Sequence, residues 1–557
     1  MNRQFIGNTI VCQFAAFLLL AGIYFWYVCH GSPGRDLGCQ ENNFSGESAR
    51  PALRLQLNRK PMPSSNLLVA PLILCTALAH AAPGATDWSA AAQQDMQFAI
   101  DTIRSSHAGA VTGQLDVIAP LEAGGRGGMI EAANVKTEQD YRRAMVRFIN
   151  GFGDPHTGIN LQLKIQAWTG IVLDRVDGQY RVIWSESNWP QALPPRDATV
   201  QSCDGVWIGT YLKSKVAPFI NHSLEYATAA SEAARQSMFD LGLGWTPKQC
   251  AFTLADGSSR RYDLPLRAVA DGIGAERIEQ VRKQYAAKGR PVGLYPLAAG
   301  MHWVAMPDFN GGISAAPYEK LYPQLAALKK SDWVVFDLRG NGGGDSSWGN
   351  RALQALYGKE YGERLGDTAA YSKLLIADQA TVGVYQRYAS LPEYAASKGE
   401  FEDTLHKLEM AIRGGEKMAQ VEGGTREQAA ALAAQVRKRP GGPRVAAVIN
   451  RGCFSSCMNF VQQISSMADT VLVGESTLGY SPYGEINRFN LPSGNGSITL
   501  PSAIYTAFQA TREPFVPDLP YAGNMADEPA LMKWVAATLA KAKPALKRQG
   551  KRKRPRH

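Results

Sequence analysis

FDLRGNGGGDSS, residues 336–347, and INRGCFSSCMNF, residues 449–460, are the two stretches whose reading decides the fold. Each follows an apolar run with the length and composition of a buried strand, Trp333–Leu338 before the first and Val445–Ile449 before the second. The first continues into a glycine-dense loop. The second continues into a small-residue turn and then a helix, with Ser455 and Ser456 in the helix's first turn. Exposed backbone N–H groups on one side and a serine at a helix start on the other are what acyl transfer needs: a pocket for an oxyanion and a nucleophile. The helix macrodipole favours negative charge at that serine.

Outward from these stretches, 557 residues give room for several domains, and an apolar content of 45 % is ample for a core. The net charge of +10 suggests nucleic acid until it is located. Nine Lys/Arg and no acid lie in residues 541–557, and residues 1–61 add a net of three, which leaves −2 for everything between. The globular part is near neutral, so nucleic acid is not its expected partner. The tail reads as a solvated, disordered extension, with contact to an anionic surface as the sharper alternative.

Two apolar segments open the chain. Ile10–Val28 has the length of a membrane span. Leu67–Ala79 follows Arg59 and Lys60 and ends in Ala79-His80-Ala81, the pattern of a secretory signal with a small-x-small cleavage site. Met62 stands just before the second run, so residues 1–61 read either as an over-extended start or as a signal anchor that tethers the protein to a membrane. Both readings export the body of the chain: periplasmic, secreted, or held at the membrane.

Four cysteines follow the expected cleavage point: Cys203, Cys250, Cys453 and Cys457. An even number in an exported chain predicts two disulfides, and four cysteines allow three pairings. The pairing 203–250 with 453–457 is favoured, because an i,i+4 pair on a helix has a Cα separation of about 6 Å, within disulfide range. The spacings do not suit zinc, so no metal site is expected, and no cofactor is implied.

In chain order, residues 83–159 read as helical and end in GDPHTG, 153–158. Trp88–Ile103 and Glu138–Ile149 show helical period, and AGGRGG at 123–128 reads as a flexible connection between them. Residues 160–275 change to short strands, with Asp-Gly turns at 177–178, 204–205 and 256–257. This is a small β-rich domain, either PDZ-like or simply a packing module. Residues 290–530 return to α/β, with 368–440 expected to be a mostly helical insertion that forms a lid, a partner surface or plain packing.

DLRGNGGG, the serine turn followed by VLVGESTLG, and FVPD at 515–518 together resemble the C-terminal processing (tail-specific) serine peptidases, including tricorn-like members. The resemblance covers residues 290–525, and GDPHTG falls in register before it. It implies a crotonase/Clp-like α/β core, an N-terminal helical region, and a PDZ-like domain ahead of the core. By this resemblance Ser455 is the nucleophile, with Ser456 as its rival, and the amides of Gly343 and Ser456 form the oxyanion hole. Asp337 and Arg339 hold the loop.

The general base departs from the best-known members. Their lysine position is occupied by Tyr480, and a phenol with an ordinary pKa near 10 is a poor base. Tricorn-like members use a histidine and a glutamate instead. His156 of GDPHTG matches that histidine. Glu513 is the chosen orienting acid, with Glu475, Glu485 and Asp154 as competitors. His107, His222, His302 and His406 stand in less suggestive contexts. The expected function is an exported serine endopeptidase acting on polypeptides. A peptide- or ligand-binding protein without catalysis on the same fold is the alternative, and an acyl-CoA enzyme on the same core fits export poorly.

Overall fold

The structure is a computed structural model, and it describes residues 87–541 apart from 270–274, 285–286, 369–371, 480 and 506–513. The two N-terminal apolar segments, Tyr480, Glu513 and the basic tail therefore lie outside the described residues. Among the described residues no helix is long and apolar enough to cross a membrane.

Four helices open the described chain, one of them the single turn Ala108–Val111. Helix α1 (Trp88–Ser106) is capped by the Asp87 carboxylate, which accepts the Ala90 N–H. Helix α2 (Leu115–Ala133) runs straight through AGGRGG, which the sequence suggested was a connection. The glycines are there for close packing. A Cβ on Gly128 would lie 2.8 Å from Met96 Sδ, and one on Gly125 would lie 3.4 Å from Ile100, both on α1. Helix α3 (Glu138–Asn150) starts with a reciprocal capping box between Thr137 and Asp140 and buries Tyr141, Ala144, Met145, Phe148 and Ile149. Strand β1 (Gly158–Asn160) follows the GDPHTG turn.

The β-rich region contains β2 (Ile171–Val176), β3 (Gln179–Ser185), β4 (Thr199–Cys203), helix α4 (Ala227–Gln236), β5 (Gln249–Thr253) and β6 (Ser259–Asp263). These strands form one antiparallel sheet in the order β2-β3-β4-β5-β6. The Asp177-Gly178 pair takes positive φ at both residues, as a two-residue hairpin turn requires, and Asp204-Gly205 does the same. Cys203 and Cys250 are register partners on β4 and β5 and are joined by a disulfide.

The central sheet has β7 (Gly293–Ala298), β8 (Met301–Ala305), β9 (Trp333–Asp337), β12 (Arg444–Ile449), β13 (Val471–Gly474) and β16 (Leu519–Pro520) in that spatial order. From β8 onward every neighbour is parallel. Parallel strands are buried on both faces, which is why these segments read as continuous apolar runs. Val334, Phe336, Ala447 and Ile449 pack on one side with helices α5 (Gly311–Ala326), α6 (Ser347–Tyr357) and α9 (Ser456–Ser465). Trp333, Val335, Ala446 and Val448 pack on the other with α10 (Glu528–Lys541).

The stretch 368–440 is not purely helical. Besides α7 (Gln379–Ser390) and α8 (Lys398–Gly414) it contributes β10 (Lys373–Ile376) and β11 (Met418–Glu422) to a further sheet. That sheet runs β1-β15-β10-β11, with β14 (Tyr483–Asn490) on the other edge of β15 (Ser497–Tyr505). The composition, rich in Ala, Glu, Lys and Gln, pointed to helix. Pairing with β15 overrides that propensity.

Candidate active site

β9 and β12 are adjacent and parallel, with Asp337 opposite Val448, so the two diagnostic loops leave the same edge of the sheet side by side. Ligand sites of parallel sheets form beyond this carboxyl edge. Arg339 is fully buried and makes a two-pronged contact with Asp337, Nε to Oδ1 at 2.8 Å and Nη2 to Oδ2 at 2.7 Å. It also donates to Met525 O and Glu528 Oε2. Asp337 and Arg339 thus fix the loop and do not face a substrate.

Two asparagines tie the loops together. Asn450 Oδ1 accepts the N–H groups of Gly340 and Gly452, both at 3.0 Å. Asn341 O accepts the Phe454 N–H at 3.0 Å, and its carboxamide donates to Met306 O and accepts the Gly343 N–H at 2.9 Å. The loops touch backbone to backbone: a Cβ on Gly452 would lie 2.7 Å from Gly340 Cα.

Ser455 sits at the start of α9 with φ 54° and ψ −125°, a conformation rare for any residue but glycine. Its hydroxyl does not cap the helix. Strain of this kind at a strand-to-helix turn presents a serine side chain outward. Ser456 is engaged differently, its hydroxyl donating to Gly344 O at 2.5 Å. Gly343, at φ 94°, is pressed against this turn, where a Cβ would lie 2.8 Å from Phe454 O and from Ser455 Cβ and 2.9 Å from Ser456 N. A side chain is excluded there.

The Gly343 N–H, expected as an oxyanion donor, is bonded to Asn341 in this conformation. Gly344 is arranged otherwise. Its neighbours bond Phe309, through Gly343 O and the Asp345 N–H, so the Gly344 backbone points the opposite way, and its carbonyl meets Ser456. The Ser456 amide is at the first position of α9, where backbone N–H groups have no acceptor within the helix.

The disulfide Cys453–Cys457 closes around Ser455, with a Cα separation of 5.4 Å.

His156 reaches this turn from the far side of the sequence. Its ring lies on the Phe454 ring, 4.7 Å between centroids, and is 8 % exposed. The GDPHTG turn is held by Asp154, whose carboxylate accepts the His156 N–H, the Thr157 hydroxyl and the Ser481 hydroxyl. Asp154 is therefore committed to the turn. Burial raises its pKa, but His107, His156 and Ser481 outweigh this and hold it well below the usual carboxylate range. His107 is fully buried, with Nε2 3.0 Å from the Thr157 hydroxyl and Nδ1 accepting the Gly109 N–H.

Burial depresses the His156 pKa below its ordinary value of 6.5, against the pull of Asp154 and Glu485. Burial thus biases the ring toward its neutral form. Its Nδ1 is buried and has no hydrogen-bond partner among the described residues.

Of the competing acids, Glu475 is paired with Arg451, which donates from Nε at 2.9 Å. Glu485 is paired with Lys373 at 2.7 Å. The sequence offered no sign of Asn341, Asn450 or Lys373. The asparagines stand in turn contexts where Asn is common, and Lys373 lies more than 80 residues from the serine. Among the described residues no cluster of His, Cys, Asp and Glu could hold a metal ion.

Residues 302–512 match the family model described as Peptidase family S41. Among solved structures, mature CPAF superposes with a TM-score of 0.54 at 13 % identity, covering 83 % of this chain and 100 % of that one. Mature CPAF complexed with lactacystin gives 0.55 at 11 % identity, covering 82 % and 100 %. At these identities the likeness is one of fold. No curated protein sequence matches.

Proposed function

We propose that this chain, a serine peptidase whose residues 302–512 form a family S41 domain, is an exported endopeptidase that uses Ser455 as nucleophile and His156 as base. The observation that carries the reading is Ser455 in its strained conformation at the start of α9, with the His156 ring seated on the neighbouring Phe454. Ser455 Oγ attacks the peptide carbonyl carbon and passes its proton to the His156 imidazole. The carbonyl oxygen becomes an oxyanion, held by the amides of Ser456 and of the glycine loop. Gly343 supplies the glycine-loop donor once Asn341 releases its N–H. Collapse breaks the C–N bond as imidazolium protonates the leaving amine. Water, deprotonated by the same imidazole, then hydrolyses the acyl ester. We assign Glu513 as the carboxylate that orients the imidazole.

Substrates are polypeptides. Export is supported by the two disulfides and by the N-terminal signal pattern, with a membrane tether through Ile10–Val28 as the variant of that reading in which residues 1–61 are retained. N-terminal sequencing of the mature protein distinguishes these. A start just after Ala81 supports cleavage, and a start at Met1 supports an anchor.

A fluorophosphonate probe is expected to label Ser455, with labelling and peptide cleavage both abolished in Ser455→Ala and strongly reduced in His156→Ala. Labelling that survives Ser455→Ala overturns the assignment. The bond between Asn341 and the Gly343 amide favours one second reading, a peptide-binding protein that does not turn over. Peptide capture without cleavage, unchanged in Ser455→Ala, would establish it. Because mature CPAF has been crystallised with lactacystin, protection of Ser455 from the probe by lactacystin is a further check.

A further inference from the structure

A buried ion pair lies on the sheet that contains β14, β15 and β10. Lys373 Nζ is 2.7 Å from Glu485 Oε1, and the lysine is 8 % exposed. The Tyr505 hydroxyl donates to the same carboxylate oxygen, Glu422 lies 3.7 Å from the ammonium, and the Tyr385 ring lies beside it. Glu485 has φ 53°, again a conformation uncommon outside glycine, and its carbonyl accepts the Ser502 hydroxyl at 2.8 Å.

That conformation has a purpose in the register. Tyr483 opposes Ile504 and Lys373 opposes Tyr505, so a regular strand would carry Glu485 on the face of Tyr483, away from Lys373. The positive φ interrupts the alternation and brings the carboxylate to the lysine. The same strand is fastened to the histidine turn: the Ser481 hydroxyl bonds Asp154, and the Tyr483 ring meets the His107 ring at 5.0 Å.

We propose that Lys373 and Glu485 are positioning residues for His156. The ammonium supplies the counter-charge that a buried carboxylate demands, so the imidazole does not have to, and His156 stays uncharged and able to accept a proton. This rests on the reading of His156 as base. It also gives the stretch 368–440 a part in the site, since Lys373 belongs to it.

The groups around the histidine are consistent with this balance. On its own turn stands Asp154, bonded through Thr157 to His107. His222 shares the field of Asp154. From β14 come the Tyr483 carbonyl and Glu485, and around Lys373, the partner of Glu485, stand Tyr505 from β15, Tyr385 from α7 and Glu422 from β11. Lys373 is the cation directly paired with Glu485.

The test reads the imidazole itself. In Ser455→Ala protein labelled at histidine, the NMR titration of His156, assigned by loss of its signal in His156→Gln, is compared across variants. Lys373→Met is expected to raise the His156 midpoint by about one pH unit. Lys373→Arg should leave it near that of the parent, and Lys373→Met with Glu485→Gln should bring it back. In the enzyme with Ser455 intact, the acid limb of probe labelling against pH should move with the NMR midpoint. A folded Lys373→Met protein with an unmoved midpoint overturns the proposal, as does a double variant that fails to reverse the shift. If Lys373→Met does not fold, Glu485→Gln decides, with a lowered midpoint expected and an unmoved one contrary. Failure of the peptidase reading looks different: the protein with Ser455 intact neither cleaves nor reacts with the probe, while the titration is still measurable.

Discussion

Cys203–Cys250 joins neighbouring strands of the β-rich sheet across 47 residues of chain, whereas Cys453–Cys457 spans four residues around Ser455. On the chain-entropy model the first stabilises the fold by about 4 kcal/mol and the second by about 2 kcal/mol. The longer link restrains the unfolded chain. The shorter one encloses a residue whose φ of 54° costs on the order of 1–3 kcal/mol, so its main effect is to hold a conformation the backbone would otherwise leave. One region is stabilised by its bridge, and the other is kept strained by its bridge.

The sharpest way to break this comparison is Ser455→Gly. Activity should fall by at least ~10⁴-fold, while stability stays level or rises by about 1 kcal/mol, because glycine accepts the strained φ. A marked loss of stability on denaturant titration would mean that Ser455 is not strained. His156→Gln should lower kcat/KM by roughly 10³-fold with little change in the unfolding midpoint. Gly343→Ala pushes a methyl into Phe454 O, Ser455 Cβ and Ser456 N, so kcat should drop by about 10²-fold and stability by about 1–3 kcal/mol.

The bridges themselves come next. All four cysteines are buried, so reductant reaches either bond only through opening of the fold, and paired substitutions separate the two roles more cleanly. Cys203→Ala with Cys250→Ala should cost about 4 kcal/mol while kcat/KM of the folded fraction stays within about twofold. Cys453→Ser with Cys457→Ser should lower kcat/KM by about tenfold for about 2 kcal/mol. Equal effects of the two pairs on activity would dissolve the distinction.

The smallest effect is in pH. Burial holds the His156 pKa below 6.5, so if His156 is the base, activity should fall as the pH drops through a midpoint below 6.5. Stability has its own limb. The Asp154 carboxyl is held below its ordinary 3.8, so its contribution is present above that value and lost as the pH falls further. An activity midpoint at or above 7 would contradict the burial of the ring.

Much of this was legible in the sequence, because the deciding residues carry their environment with them. β9 and β12 read as buried strands since parallel strands are apolar on both faces, and the Asp-Gly turns announced their positive φ. Where one residue type serves two purposes, the reading failed. The glycines of AGGRGG look like a linker but allow α1 and α2 to approach. The charged and alanine-rich composition of 368–440 speaks for helix, yet β10 exists because β15 offers it an edge. The site divides along the same line. The turns that carry Ser455, Gly343 and His156 stand out as local motifs. The bond between Asn341 and Gly343, and the turn of Glu485 toward Lys373, depend on backbone angles and long-range register that no window of sequence contains.

The contact between Gly340 and Gly452 also bears on how such a chain can change its length. Each loop is the other's wall, so a single residue inserted in either would displace both at once. The 41 residues between Ile376 and Met418 have no such limit. They leave and re-enter the sheet through adjacent strands, so whole helices and hairpins could be gained or lost there without moving the serine.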